Sequence, residues 1–191
     1  MTSPSWSILA EEDLVRTPHL HVTRQHVGTP ARPDGVEWYV VRRPAAVVVA
    51  PQFEDGSFLL IRQERPAVRQ LTWEFPAGQV DAIGGPGDPH EAALRELREE
   101  AGLECPGGLL ALGGFHSSVG FTDERAELFL ARDCRPSALG SAHSQHEVIT
   151  ETRRVSPAEL GRMVADGDLH DANSLCAFAR MVAKGLLAPH I

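Results

Sequence analysis

Apolar and polar positions fall into short segments that read mostly as strands. Val36–Arg42 is rich in β-branched and aromatic residues, and 45–50 is an unbroken apolar run, as a strand buried on both faces carries. Glu54-Asp55-Gly56-Ser57 then predicts a hairpin turn, with Phe58-Leu59-Leu60-Ile61 as the returning strand. Trp73-Glu74-Phe75 predicts a short strand stopped by Pro76-Ala77-Gly78, and further strands are expected near 109–116, 126–132 and 148–155. Residues 1–35 are mostly polar. Weak alternation over 19–26 predicts one strand there, before a break at Thr29-Pro30-Ala31-Arg32-Pro33-Asp34-Gly35.

Helices announce themselves by their caps. Asp88-Pro89-His90-Glu91 supplies an N-cap, a proline at the first helical position and a glutamate in the first turn, and Gly102 supplies the left-handed stop. Ser156-Pro157-Ala158-Glu159 repeats that grammar for a helix ending near Asp166-Gly167, and a third helix is expected over 172–184, before Gly185. Strands, a helix, more strands and two helices predict an α+β fold on a mixed sheet.

The first helix carries the chemistry. Ala93, Leu94, Leu97 and Ala101 form an apolar stripe expected to pack on the sheet, and Glu96, Glu99 and Glu100 share an arc bordering it. Like charges three and four apart repel by a few tenths of a kcal/mol per pair, roughly, unless neutralised. Arg95 is spaced to pair with Glu99, while Arg98 points away. An oxygen-ligated divalent cation, Mg²⁺ or Mn²⁺, suits a carboxylate cluster that lacks Cys and His. Taken alone, the helix also fits a solvated acidic face.

Arg95-Glu96-Leu97-Arg98-Glu99-Glu100-Ala101-Gly102-Leu103, with Gly78 upstream, resembles the Nudix box of the Nudix hydrolases. Trp73-Glu74-Phe75-Pro76-Ala77-Gly78 and Gly120-Phe121-Thr122-Asp123-Glu124 are similar to the branch that cleaves ADP-ribose and related nucleoside diphosphate sugars. The likeness spans about residues 36–184. The first half of the box departs from the pattern. A glycine is expected fourteen residues before Arg95 and a glutamate eight before it, where this chain has Asp81 and Gly87. Gly78 restores the glycine if the Gly/Pro-rich stretch 82–87 holds an insertion, but the glutamate is absent. A second departure is Val119, where members preferring ADP-ribose carry proline.

The resemblance implies an α/β/α Nudix sandwich over 44–191, with an N-terminal β arm, 1–43, whose strands join a homodimer. It implies Mg²⁺, with Mn²⁺ able to substitute, held by Glu96, Glu99, Glu100 and the Ala77 carbonyl. Arg95 would orient a glutamate and Glu99 would act as ligand or water-holder. Arg65 would grip the diphosphate and Glu124 the distal ribose. The general base is expected before the last strand, with Glu147 first and Glu151 and His146 as alternatives. The expected reaction converts ADP-ribose to AMP and ribose 5-phosphate. Another nucleotide sugar, a dinucleotide, a nucleoside triphosphate, or nucleotide sensing without cleavage stays open.

Composition narrows the setting. The chain has 191 residues, a formal net charge of −8, and 17 arginines beside the single Lys184. That balance argues against a broad nucleic-acid face, and no apolar run reaches membrane-span length. Cys105, Cys134 and Cys176 form no metal-type spacing, which points to a reducing, cytoplasmic setting without a leader.

Overall fold

The computed structural model describes residues 5–80, 87–138 and 148–188, and the chain divides into two units. One comprises Met1–Ala45 with His116–Arg125, the other Ala46–Phe115 with Ala126–Ile191.

The first unit is an antiparallel sheet of β1 (Ser7–Arg16), β2 (His21–Gly28) and β3 (Val36–Arg42), in that order. The second and third strands match the sequence expectation. β1 does not, because all ten of its residues are exposed and two register shifts interrupt its pairing, so its sequence carries no sustained alternation. The 117–124 loop is pinned to β3. Thr122 Oγ1 donates to Val41 O at 2.7 Å, and Trp38 Nε1 donates to Gly120 O at 3.1 Å.

The second unit contains β4 (Ala46–Pro51), β5 (Phe58–Arg65), β6 (Gln70–Glu74), β7 (Ala77–Gln79), α1 (Pro89–Ala101), β8 (Leu103–Glu104) and β9 (Leu109–His116). β10 (Arg125–Ala131), β11 (Arg135–Pro136), β12 (Ile149–Val155), α2 (Pro157–Asp166) and α3 (Ala172–Ala183) complete it. One sheet runs β7-β4-β10-β9, with β4 parallel to β10 and antiparallel to β7, so it is mixed. A second runs β12-β5-β6.

β4 explains the layering. Val48 and Ala50 join a core with Leu160 and Met163 of α2 and Ala177 and Met181 of α3, while Val47 and Val49 join another with Ala92, Ala93 and Leu97 of α1. A strand covered on both sides reads as a continuous apolar run, because neither face meets water. The result is the expected sandwich, with α1 on one side and α2 and α3 on the other.

The expected turn at residues 54–57 is present, closed by Phe53 N donating to Ser57 O at 2.9 Å, but the strands it joins do not stay paired. Beyond the antiparallel bridge Gln52↔Phe58, β4 and β5 enter different sheets. Turn residues encode the reversal, whereas the choice of neighbour is made by distant strands. The helix caps follow the sequence closely: Asp88 Oδ1 accepts from His90 N at 2.8 Å, and Ser156 Oγ from Glu159 N at 3.2 Å. Gly102 adopts φ 64, the left-handed stop that a Cβ would penalise. Among the described residues no helix is long and apolar enough to cross a membrane.

Candidate active site

α1 lies across β7 so that successive residues of the strand each meet a charged residue of the helix. Ala77 N donates to Glu100 Oε2 at 2.9 Å. At Gly78, a Cβ would stand 2.1 Å from the Glu96 carboxyl carbon, so the carboxylate fills the space a side chain would take. Beyond it, Arg95 Nη2 donates to Gln79 O at 3.1 Å. This tripeptide is therefore a cradle for one helical turn.

The cradle revises the face of α1. Glu96 and Glu100 are only 5% and 1% exposed, while Leu94, expected in the buried stripe, is 40% exposed. Hydrophobic periodicity assigns carboxylates to water, but glycine at 78 and a free strand amide at 77 accept them instead. Burying two carboxylates is costly unless they are hydrogen-bonded or neutralised. Arg95 supplies part of the answer, with Nη1 2.9 Å from Glu96 Oε1 and 3.4 Å from Glu99 Oε2. The expected Arg95–Glu99 pair is present, and the guanidinium serves Glu96 as well.

Ala77 is also positioned to offer its carbonyl. Val49 N donates to Pro76 O at 2.8 Å, which makes Val48 and Ala77 a non-hydrogen-bonded pair. By that parity the amide and carbonyl of Ala77 both point away from β4. β7 is an edge strand, so they meet no further strand of that sheet. Glu96, Glu99, Glu100 and the Ala77 carbonyl offer only oxygen donors, the chemistry that suits a hard divalent cation. Among the described residues, no three acidic, His or Cys side chains already converge as a ligand set; Arg95 holds two of the carboxylates.

Arg65 ends β5 and is committed to a partner the sequence did not disclose. Its Nε donates to Glu74 Oε1 at 2.9 Å and its Nη2 to Glu74 Oε2 at 2.5 Å, a two-pronged fork on a carboxylate only 3% exposed. Thr72 Oγ1 donates to the same carboxylate. The Glu74 hydrogen bonds hold the Arg65 guanidinium above its ordinary pKa. Neither prong of this fork uses Nη1. The β5–β6 register sets Arg65 opposite Gln70 and Glu74 opposite Ile61, so the pair forms along one face of the ladder rather than directly across it, and residue spacing alone does not reveal that.

The first turn of α3 meets the same segment. Phe75 N donates to Ser174 Oγ at 2.8 Å, and Asp171 caps the helix through Oδ1. Asp171 Oδ2 is buried without a hydrogen-bond partner among the described residues. Burial, reinforced by the nearby Glu74 charge, pushes the Asp171 carboxyl above its ordinary pKa, against the opposing pull of Ser174. A carboxyl raised on folding favours the native state below its unfolded pKa and loses that contribution as pH rises through the folded value. Asp171→Asn keeps a capping oxygen and removes the charge. It is expected to raise the thermal midpoint at neutral pH by a few degrees, with the gain vanishing below about pH 4. Melting curves across that range check it; a gain that persists at low pH contradicts the assignment.

The other expected site residues belong to other segments of the chain. Glu124 belongs to the first unit, where Arg43 Nη1 approaches Oε1 at 2.8 Å and Ser117 Oγ donates to Oε2 at 2.8 Å. Val119 is 84% exposed in the same loop. Glu151 is exposed and 3.5 Å from Arg62. Glu147, His146 and all but Gly87 of the suggested insertion lie outside the described residues.

The sandwich, and a carboxylate helix seated on a Gly-containing strand, set the class, and comparison with known proteins agrees. The NUDIX domain model matches residues 41–178, and the chain belongs to that family. Within it, the chain is 34% identical over 152 residues to an ADP-ribose pyrophosphatase of Mycobacterium tuberculosis (strain ATCC 25618 / H37Rv), covering 79% of this chain and 67% of that one. It is 27% identical over 148 residues to the ADP-ribose pyrophosphatase of Bacillus subtilis (strain 168), covering 78% and 77%. A solved structure described as an ADP compounds hydrolase superimposes with a TM-score of 0.78 at 22% identity, over 100% of both chains, a likeness of fold. The protein is a pyrophosphatase-type hydrolase of the ADP-ribose pyrophosphatase branch.

Proposed function

We propose that this enzyme hydrolyses the diphosphate bond of a nucleoside diphosphate sugar, with ADP-ribose the first substrate and AMP and ribose 5-phosphate the products. The observation that carries this reading is the seating of Glu96 on Gly78 and Glu100 on the Ala77 amide, which sets two carboxylates against the edge strand β7. Glu96, Glu99, Glu100 and the Ala77 carbonyl would hold Mg²⁺ or Mn²⁺. When bound, such an ion neutralises phosphate oxygens and acidifies water.

The remaining work falls to the chain's own residues. Arg95 holds Glu96 and Glu99 in register with β7. Arg65, braced by Glu74, presents Nη1 to a phosphate oxygen. Glu124 accepts from the distal ribose hydroxyls once Arg43 and Ser117 yield a lone pair. Glu147 takes the proton of the attacking water. The exposed β1, with Ile8, Leu9, Leu14 and Val15 uncovered, suits pairing with a second copy as a homodimer.

Two measurements test this. Incubation with Mg²⁺ and an equimolar mixture of ADP-ribose, ADP-glucose, GDP-mannose, NADH and diadenosine polyphosphates, followed by mass analysis, is expected to show ADP-ribose lost first. Faster loss of another compound moves the substrate, and tight binding without turnover of any favours a sensing role. For the base, Glu147→Gln is expected to lower kcat on the order of 10²-fold or more and to remove the acidic limb of the pH–rate profile. An unchanged profile excludes Glu147.

A further inference from the structure

Two of the three cysteines, separated in the chain by all of β9 and β10, stand at the end of one short ladder, each next to its last residue pair. β8 and β11 pair antiparallel with Glu104 opposite Arg135 and Leu103 opposite Pro136; the ladder ends there, and its register continued by one residue brings Cys105 to Cys134, whose charges are close enough to act on each other. Ser137 N donates to Gly102 O at 2.8 Å, which fixes the parity of that ladder. On that parity Cys105 and Cys134 form a non-hydrogen-bonded pair, the kind in which Cα atoms approach to about 4.5 Å and side chains lie on one face. Consistently, Cys134 N donates away from Cys105, to Gln52 O at 2.9 Å. Both side chains enter the apolar core beneath α1, Cys134 buried and Cys105 half-buried against it.

We propose that Cys105 and Cys134 are a covalent modification site, a dithiol that a low-molecular-weight disulfide oxidises to an intramolecular cross-strand disulfide. The expected Cα separation falls inside the roughly 4.4–6.8 Å span that a disulfide bridges, so closure needs no strand movement. Cys105 reacts first because it lines a groove of about 450 Å³ with Leu94, Arg98, Glu104, Pro106 and Arg135, where Arg98 adds positive charge beside the Arg135–Glu104 pair at 2.6 Å and favours an anionic oxidant such as oxidised glutathione. The Cys105 thiolate attacks one oxidant sulfur, and the S–S electron pair leaves with the first thiolate. The Cys134 thiolate then attacks Cys105 Sγ in the mixed disulfide and expels the second. Two electrons pass to the oxidant, and the two cysteine protons end on its two released thiols.

Burial, with the neighbouring Glu104 charge, pushes the Cys105 thiol up, and burial pushes Cys134 up to about 12. Closure is therefore slow at neutral pH and faster in mild alkali. The same feature makes each cysteine a poor leaving group and the closed bond slow to reduce. The bond ties the strand leaving the α1 cap at Gly102 to the strand that follows β10. This inference is independent of the substrate assignment.

The test uses the full chain, treated with excess oxidised glutathione at mildly alkaline pH, denatured, alkylated and digested. A linked peptide joining Cys105 to Cys134 is expected, with Cys176 alkylated and the link lost on reduction. The thermal midpoint of the oxidised chain should rise by about 5 °C. Cys105→Ser should lose both effects and Cys176→Ser neither. The mapping of the unaltered chain stands even if a variant fails to fold. Alkylation of both Cys105 and Cys134, a glutathione adduct that never closes, a link to Cys176, or an unchanged or lowered midpoint would overturn the proposal.

Discussion

Replacing Glu100 with glutamine is expected to reduce kcat for ADP-ribose on the order of 10³-fold while the protein stays folded. Such a loss corresponds to about 4 kcal/mol of barrier, the scale on which a misplaced or missing charge acts in a water-poor site. The substitution is nearly isosteric, and the glutamine oxygen can still accept from Ala77 N, the contact that ties α1 to β7. The negative charge is what disappears. Because a buried carboxylate is costly to desolvate, its removal in the metal-free protein should leave the midpoint within a few degrees of wild type. Glu91→Gln, an exposed change on the same helix, is the matched control and should leave both kcat and midpoint alone. A Glu100→Gln rate within about threefold of wild type, under roughly 1 kcal/mol, would remove Glu100 from the site.

Gly78→Ala carries the second large effect, from a single methyl group. Its Cβ would stand 2.1 Å from both the carboxyl carbon and Oε1 of Glu96, a separation that atoms do not tolerate. Either Glu96 swings out, breaking its contact with Arg95, or α1 lifts from β7. Both routes disorganise the donor set, so activity should fall on the order of 10²-fold or more. Stability should drop by about 1–3 kcal/mol, the usual range for overpacking, or roughly 3–10 °C of midpoint for a chain this long. Steady-state kinetics and melting curves read the two effects together. Full activity with an unshifted midpoint would mean that Glu96 does not occupy the Gly78 cradle.

What the sequence discloses follows from which forces act locally. The limits of α1 are readable because Asp88, Pro89 and Gly102 satisfy the helix ends within a few residues. β4 is readable because burial on both faces leaves no polar position. The tilt of α1 is not, since apolar periodicity selects Leu94 and cannot anticipate that a side-chain-free Gly78 admits Glu96. β1 carries apolar residues in adjacent pairs, Ile8-Leu9 and Leu14-Val15, without the alternation that marks a strand face. Arg65 has a visible charge, but its partner depends on the β5–β6 register, and Glu74 hides among aromatic neighbours as an ordinary strand residue. The resemblance to the Nudix box identified the acidic helix. The structure adds its physical setting: two carboxylates buried in the interface with the sheet rather than displayed on the surface.

The most direct test of this setting is the metal dependence of ADP-ribose cleavage by the unaltered chain, followed by ³¹P NMR at neutral pH with Mg²⁺ and then with excess chelator. The account predicts that the diphosphate resonances are replaced by two phosphomonoester signals, those of AMP and ribose 5-phosphate, only while the cation is present. Cleavage that continues undiminished in chelator, or intact ADP-ribose at every Mg²⁺ and Mn²⁺ concentration, would contradict it.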